Sequence, residues 1–372
     1  MEENTMTLKE EIDRTRAEIR TDSYSMSIGE WISLYERNEL DIHPEFQRFY
    51  RWSEFQKSRL IESILLGIPI PQIFVAQRED GVWDVVDGVQ RLSTIFEFVG
   101  LLQDNENNLL PPLVLEKTKY LPSLAGKKWD DPDDETNSFS TAERLIIKRS
   151  KIDVSIILKE SDEMSKYELF QRLNTGGSPL SDQEVRNSIL VMMNNDIYRW
   201  LRTLSQNDDF RECISLTDKA LEEQYDMDLA LRFVIFRTMD NNQLNNIGDV
   251  NEFLTDKMIE LTSSNQINIE EETEAFQFTF DLLRNTLGSQ SFHRYDLGKS
   301  KFLGGFLVSA FELVALGVGY NHRELAQQNI NIEDITKGLW QNDEFINYSG
   351  SGVRASSRIP HTVPLGRQAF RP

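Results

Sequence analysis

Residues 82–98 constrain this chain more than any other stretch. An extended apolar run, Val-Trp-Asp-Val-Val, leads into Asp87-Gly88-Val89-Gln90-Arg91, and residues 92–98 then carry apolar groups at helical spacing. A strand must therefore hand over to a helix through a glycine turn. At such a helix start the backbone N–H groups are unsatisfied and the dipole is positive, which suits an anion. The junction adds a carboxylate, an amide, a guanidinium and the hydroxyls of Ser93 and Thr94. Arg91 can offer phosphate a two-pronged fork. Asp-Gly is equally an ordinary turn dipeptide, so the junction alone leaves a plain structural turn open.

Bulk properties exclude several classes. A chain of 372 residues with 39 % hydrophobic content and six Trp is expected to fold, as two domains. No apolar run reaches the roughly 18 residues a membrane span needs, and the acidic start Met-Glu-Glu-Asn-Thr lacks a signal core. The single cysteine, Cys213, cannot form an internal disulfide and reads as a small core residue. A cytoplasmic protein is expected. The formal charge of −21 opposes a broad DNA-binding face, while cations gather locally at Arg48, Arg51, Lys57 and Arg59 and again at Lys148, Arg149 and Lys151. A small phosphate ligand in a basic pocket suits this balance.

Along the chain, residues 1–24 read as a charged helical arm, with helix over 8–19. Capping boxes at Ser27/Glu30, Ser53/Gln56 and Ser181/Glu184 open helices. Prolines at 69 and 71 force residues 68–71 into extended backbone. Strands are expected at 73–77 and 82–86, joined as a hairpin, and at 152–158. Residues 104–140, polar and broken by prolines, read as an insertion with one short strand at 113–115. A helix over 166–173 stops at Asn174-Thr175-Gly176-Gly177. From 193 to 348 the pattern is helical, over 229–239, 250–261, 273–287 and 301–316. Residues 349–372, small and basic at their start, read as a mobile tail.

The familiar catalytic constellations are missing from the sequence. Four scattered His make no zinc site, no HNH-type nuclease cluster is readable, and Gly176-Gly177-Ser178 is not a Walker A loop. Three Gln-Arg elements stand out instead: Pro44-Glu45-Phe46-Gln47-Arg48-Phe49-Tyr50-Arg51-Trp52, the Asp87 junction, and Phe170-Gln171-Arg172-Leu173-Asn174-Thr175-Gly176-Gly177. With the intervening residues 58–71, they resemble the N-terminal domain family of GmrSD-type Type IV restriction enzymes, over about residues 25–190.

That resemblance implies an α+β, ParB/sulfiredoxin-like domain with a small mixed sheet over 25–192, followed by an all-α domain. It implies a nucleotide site with Asp87, Gln90 and Arg91 as catalytic residues. Gln47, Arg48, Gly88, Thr94, Asn174, Thr175 and Gly176 would bind the nucleotide. Asp87 would hold Mg²⁺ or orient water, Gly88 would admit phosphate to the backbone, and Arg48 and Arg91 would neutralise it. Val89 stands where the family more often has a second Gln, which bears on hydrolysis of a nucleoside triphosphate more than on binding. The family couples this domain to an HNH-type nuclease, so a separate nuclease or effector partner is expected, with DNA met through the complex. The alternative is a noncatalytic sensor or adaptor that binds a nucleotide or modified DNA and regulates a partner. Oligomerisation stays open.

Overall fold

The computed structural model describes residues 7–9, 20–42, 52–104, 107–159, 161, 181–263, 267–328, 330–350 and 352–372. The chain divides into two compact units, Met1–Pro179 and Leu180–Pro372.

The first unit is built from β1 (Thr21–Ser27), α1 (Ile28–Glu36), β2 (Leu40–Asp41), α2 (Glu54–Leu65), β3 (Ile73–Gln77), β4 (Trp83–Asp87), α3 (Val89–Phe98), α4 (Thr141–Arg149) and β5 (Lys151–Ile157). Its sheet has the order β1-β5-β3-β4-β2. The β1–β5 and β3–β4 pairs are antiparallel, and the β3–β5 and β2–β4 pairs parallel. This is the small mixed sheet expected of an α+β unit. One face is made by alternate residues, among them Ile73, Val75, Val85, Ile152, Val154 and Ile156, which bury against Trp31, Ile61, Leu92, Ile95, Phe96 and Phe98 of the helices.

Helix starts follow their caps. Ser27 with Glu30 and Ser53 with Gln56 form the expected capping boxes, and Ser140 with Glu143 forms another at α4. Neither α4 nor β1 is expected from the sequence. β1 carries one fully buried residue, Met26, in a run of Ser, Thr and Asp, so its apolar alternation is too weak to see. Within the insertion the strand expected at 113–115 does not form. Leu113 and Leu115 are buried, but the Leu113 N–H donates to the Glu97 carbonyl and the Leu115 N–H to that of Lys127, so no sheet claims the segment. The expected helices over 8–19, apart from residues 8–9, and over 166–173 lie outside the described residues.

The second unit is helical except for a two-stranded antiparallel hairpin of Arg294–Asp296 and Lys301–Leu303. The helix expected over 301–316 therefore begins later, as Val308–Tyr320. Asp182–Met193, opened by the Ser181/Glu184 capping box, belongs to this unit, and its buried Arg186 pairs with Asp228 of Tyr225–Phe236 at 2.5 Å. A buried chain of charges continues from there. Asp228 also takes Arg232 at 2.5 Å, and Glu312 holds Arg358 at 2.7 Å. Burial alone would raise the Asp228 carboxyl, but Arg232 and Arg186 hold it below the usual carboxylate range.

Residues 349–372 do not form a mobile tail. Ala355–Ala369 is a helix packed along Val308–Tyr320, with Ile359, Val363 and Phe370 buried. A Cβ on Gly366 would collide with the Leu313 carbonyl, so glycine here lets two helices touch backbone to backbone. Arg358 is spent on Glu312, and Arg367 caps the end of Tyr225–Phe236 by donating to the carbonyls of Phe236, Arg237 and Met239. Small residues and two prolines disguise this helix in the sequence. Among the described residues, no helix is long and apolar enough to cross a membrane.

Candidate functional site

Asp87 closes β4 and Gly88 is the N-cap of α3. Val75 pairs with Val85 but Phe74 pairs with Asp87, so Val86 is an extra residue, a β-bulge at the end of the strand. Strict alternation from the buried Val85 would carry Asp87 into the core. The bulge breaks that alternation, and the Asp87 side chain is 42 % exposed. Gly88 sits at φ +101°, in the left-handed region, and a Cβ there would also collide with Ile73 Cδ1. Both the turn and its contact with β3 demand glycine. As N-cap it offers no side chain, so no side-chain cap satisfies the first N–H groups of α3.

Arg91 reaches back across this turn. Its Nη2 pairs with Asp87 Oδ2 at 2.7 Å, and its Nη1 donates to the carbonyls of Pro71 at 2.5 Å and Gln72 at 3.0 Å. Those carbonyls are available because Pro69 and Pro71 keep the chain extended just before β3. Arg91 is thus a brace between the start of β3 and the end of β4, with its side chain 11 % exposed. Gln72, which the sequence reading missed, also accepts a hydrogen bond from Ser155 of β5 at 3.3 Å. The signal for Gln72 lay in the proline spacing.

The remaining expected residues fall as follows. Gln90 stands in the first turn of α3. Thr94 is fully buried, and its hydroxyl donates back to the Gln90 carbonyl at 2.7 Å. That bond occupies the hydroxyl proton and turns it into the helix. Gln47, Arg48, Asn174, Thr175 and Gly176 lie outside the described residues. The structure therefore brings together Asp87, Gly88, Gln90 and Arg91, and places Gln72 and Ser155 beside them. Among the described residues, no group of three or more His, Cys, Asp or Glu is gathered as a metal site. A separate groove, lined among others by Ile64, Ile68, Ile70 and Lys151, contains none of these residues.

A second polar anchor positions the insertion. Glu62 of α2 accepts from the backbone N–H groups of Tyr120 at 2.8 Å and Leu121 at 2.9 Å. Burial alone would raise its carboxyl, but hydrogen bonds from the Thr118 hydroxyl and these amides, with the charge of Arg59, hold it below the ordinary glutamate value. In the second unit burial pushes the Cys213 thiol up to about 12, which marks it as a core residue and not a nucleophile.

No curated protein matches the chain. Residues 28–191, which run from the first residue of α1 past all the motif residues described above, match the model of the GmrSD restriction endonuclease N-terminal domain, and this stretch of the chain belongs to that domain family.

Proposed function

We infer that the chain is a nucleotide-binding, NTP-hydrolysing subunit of a DNA restriction or antiphage defence system, working with a separate nuclease or effector. The observation that carries this reading is the uncapped, left-handed Gly88 turn with a half-exposed carboxylate at its edge. Backbone N–H groups without side-chain caps at a helix start are suited to phosphate oxygens. The family match supplies the restriction context.

Asp87 is the carboxylate at the turn, and one of its oxygens is held by Arg91. A Mg²⁺ ion would be held by Asp87 together with the ligand's own phosphates, the usual arrangement for this ion. Arg91 would orient that carboxylate, while Gln90 would face the ligand from the first turn of α3. The test is phosphate release by the purified chain from each of the four NTPs with Mg²⁺. Turnover that Asp87→Asn abolishes, with binding largely kept, supports hydrolysis, because the loss then falls on the transition state.

One observation favours the second reading, a noncatalytic nucleotide sensor that regulates a partner. Arg91 is already engaged by Asp87 and two carbonyls, which leaves less of it for a transferring phosphoryl group. Thermal stabilisation by a nucleotide without turnover selects this reading, and neither stabilisation nor turnover with any NTP rejects both.

A further inference from the structure

The insertion and α2 build a surface that the Asp87 turn does not use. The Glu116 N–H donates to Ser58 Oγ at 2.8 Å, and the Tyr120 and Leu121 N–H groups donate to Glu62. Residues 116–121 therefore run along α2 from Ser58 to Glu62, with Thr118 buried beneath them. What this pinning leaves outside is unusual for so acidic a chain. Tyr120 is 63 % exposed and Phe55, one turn before Arg59 on α2, is 45 % exposed. Between and beside them Arg59, Lys117 and Lys119 are exposed and form no ion pair among the described residues. Lys119 Nζ stands 5.2 Å from the Tyr120 ring centroid, which holds the ring beside a cation. Of the nearby carboxylates, Glu54 pairs with Lys57, the charge of Arg59 bears on Glu62, and Glu116 is exposed next to Lys117 in the chain.

Exposed aromatic rings between cations fit one ligand chemistry well. Phosphodiesters meet the cations, and unpaired bases stack on the rings. A duplex hides its base faces, and an acidic peptide would be served by the cations but gains little from two separated rings. We propose that Phe55, Arg59, Lys117, Lys119 and Tyr120 form a binding surface for single-stranded DNA. The choice of DNA rests on the restriction reading above. The surface is anchored by Glu62, so the insertion exists in part to present Tyr120 and its two lysines.

The experiment is fluorescence anisotropy of a labelled oligothymidylate of about 16 nucleotides, the upper end of the range such surfaces cover, with the full chain and no nucleotide. Salt is varied between about 50 and 200 mM. Tyr120→Ala is expected to weaken binding about tenfold, the scale of one stacked base, and Tyr120→Phe to keep it. Lys117→Gln with Lys119→Gln should flatten the logarithmic salt dependence by about 0.7 for each cation removed. These side chains are exposed, so the urea midpoint should match the parent, which separates lost binding from lost fold. Parental affinity in Tyr120→Ala and in the double lysine variant overturns the proposal, as does duplex or oligouridylate binding as tight as that of the single-stranded DNA. Because the readout involves neither NTP turnover nor a partner, its failure leaves the nucleotide reading standing, and failure of that reading leaves this surface standing.

Discussion

Arg91 illustrates how one residue can serve a turn and a site together. Its three hydrogen bonds tie Asp87 to the carbonyls of Pro71 and Gln72, so Arg91→Ala leaves two carbonyls and a carboxylate without their donor. Denaturant unfolding should show a loss of about 1.5–3 kcal/mol, the scale of hydrogen bonds to a charged group. Parental stability with weakened nucleotide binding would instead make Arg91 a ligand residue alone. Gly88→Ala meets two costs, about 1–2 kcal/mol for a left-handed residue with a Cβ and about 1–3 for forcing Ile73 aside. Its unfolding midpoint should fall further than that of an alanine substitution elsewhere on α3's exposed face. Glu62 adds a pH signature. Its carboxyl is held below the ordinary glutamate value of 4.5, so its stabilisation is fully present above that pH and fades as pH falls through the lower, folded value. Glu62→Gln should therefore cost most at neutral pH, and its deficit in urea midpoint should shrink as pH falls through the lowered carboxyl value. A deficit independent of pH would mean that shape and not charge holds residues 118–121.

The last helix, Ala355–Ala369, tests what an element owes to sequence and what it owes to packing. Two internal prolines and a run of Ser and Gly lower its intrinsic helicity, and its sequence reads as a basic tail. Tertiary contacts override that. Gly366 lies against the Leu313 backbone, Arg358 pairs with the fully buried Glu312, and Asn321 donates to the Arg367 carbonyl at 2.9 Å. Truncation after Tyr348 should consequently unfold much of the second unit, seen as loss of cooperative melting by circular dichroism. A truncated chain that melts like the parent would restore the tail reading. The contrast with other elements is physical. α1, α2 and the helix Asp182–Met193 were legible because a Ser with Glu or Gln three residues on writes the cap locally. β3, β4 and β5 were legible within a residue because their buried faces are runs of Val and Ile. β1 was not, since a strand stabilised by its pairing with β5 needs little apolar content of its own. At the site, Asp87, Gly88 and Arg91 could be picked out as a group, but the bulge at Val86 and the role of Gln72 depend on register, which no local pattern records.

At the scale of the whole molecule, charge decides what the chain can hold unaided. The formal balance is −21, and several arginines of the second unit are not offered at its surface. Arg186, Arg232 and Arg358 are set against Asp228 and Glu312 in one buried or nearly buried chain of charges, and Arg367 is committed to backbone carbonyls. Two arginines of the C-terminal segment, Arg358 and Arg367, are therefore withdrawn from any DNA contact. Among the described residues, two local groups of exposed cations stand out: Arg59, Lys117 and Lys119 in the first unit, and Lys148, Arg149 and Lys151 at the end of α4 and the start of β5. A few cations on a repulsive background give weak binding that depends steeply on salt, since each phosphate contact releases condensed counterions. Unmodified duplex DNA should accordingly bind the isolated chain only weakly at low ionic strength, and titration with salt towards about 200 mM should remove the signal. Replacing Lys148, Arg149 and Lys151 with Gln should lower what remains, whereas neutralising Arg367 should act on stability first, because its partners are the carbonyls that end Tyr225–Phe236. Nanomolar, salt-resistant duplex binding by the lone chain would contradict this charge argument and the need for a partner at once, and would make the chain itself the DNA-acting component.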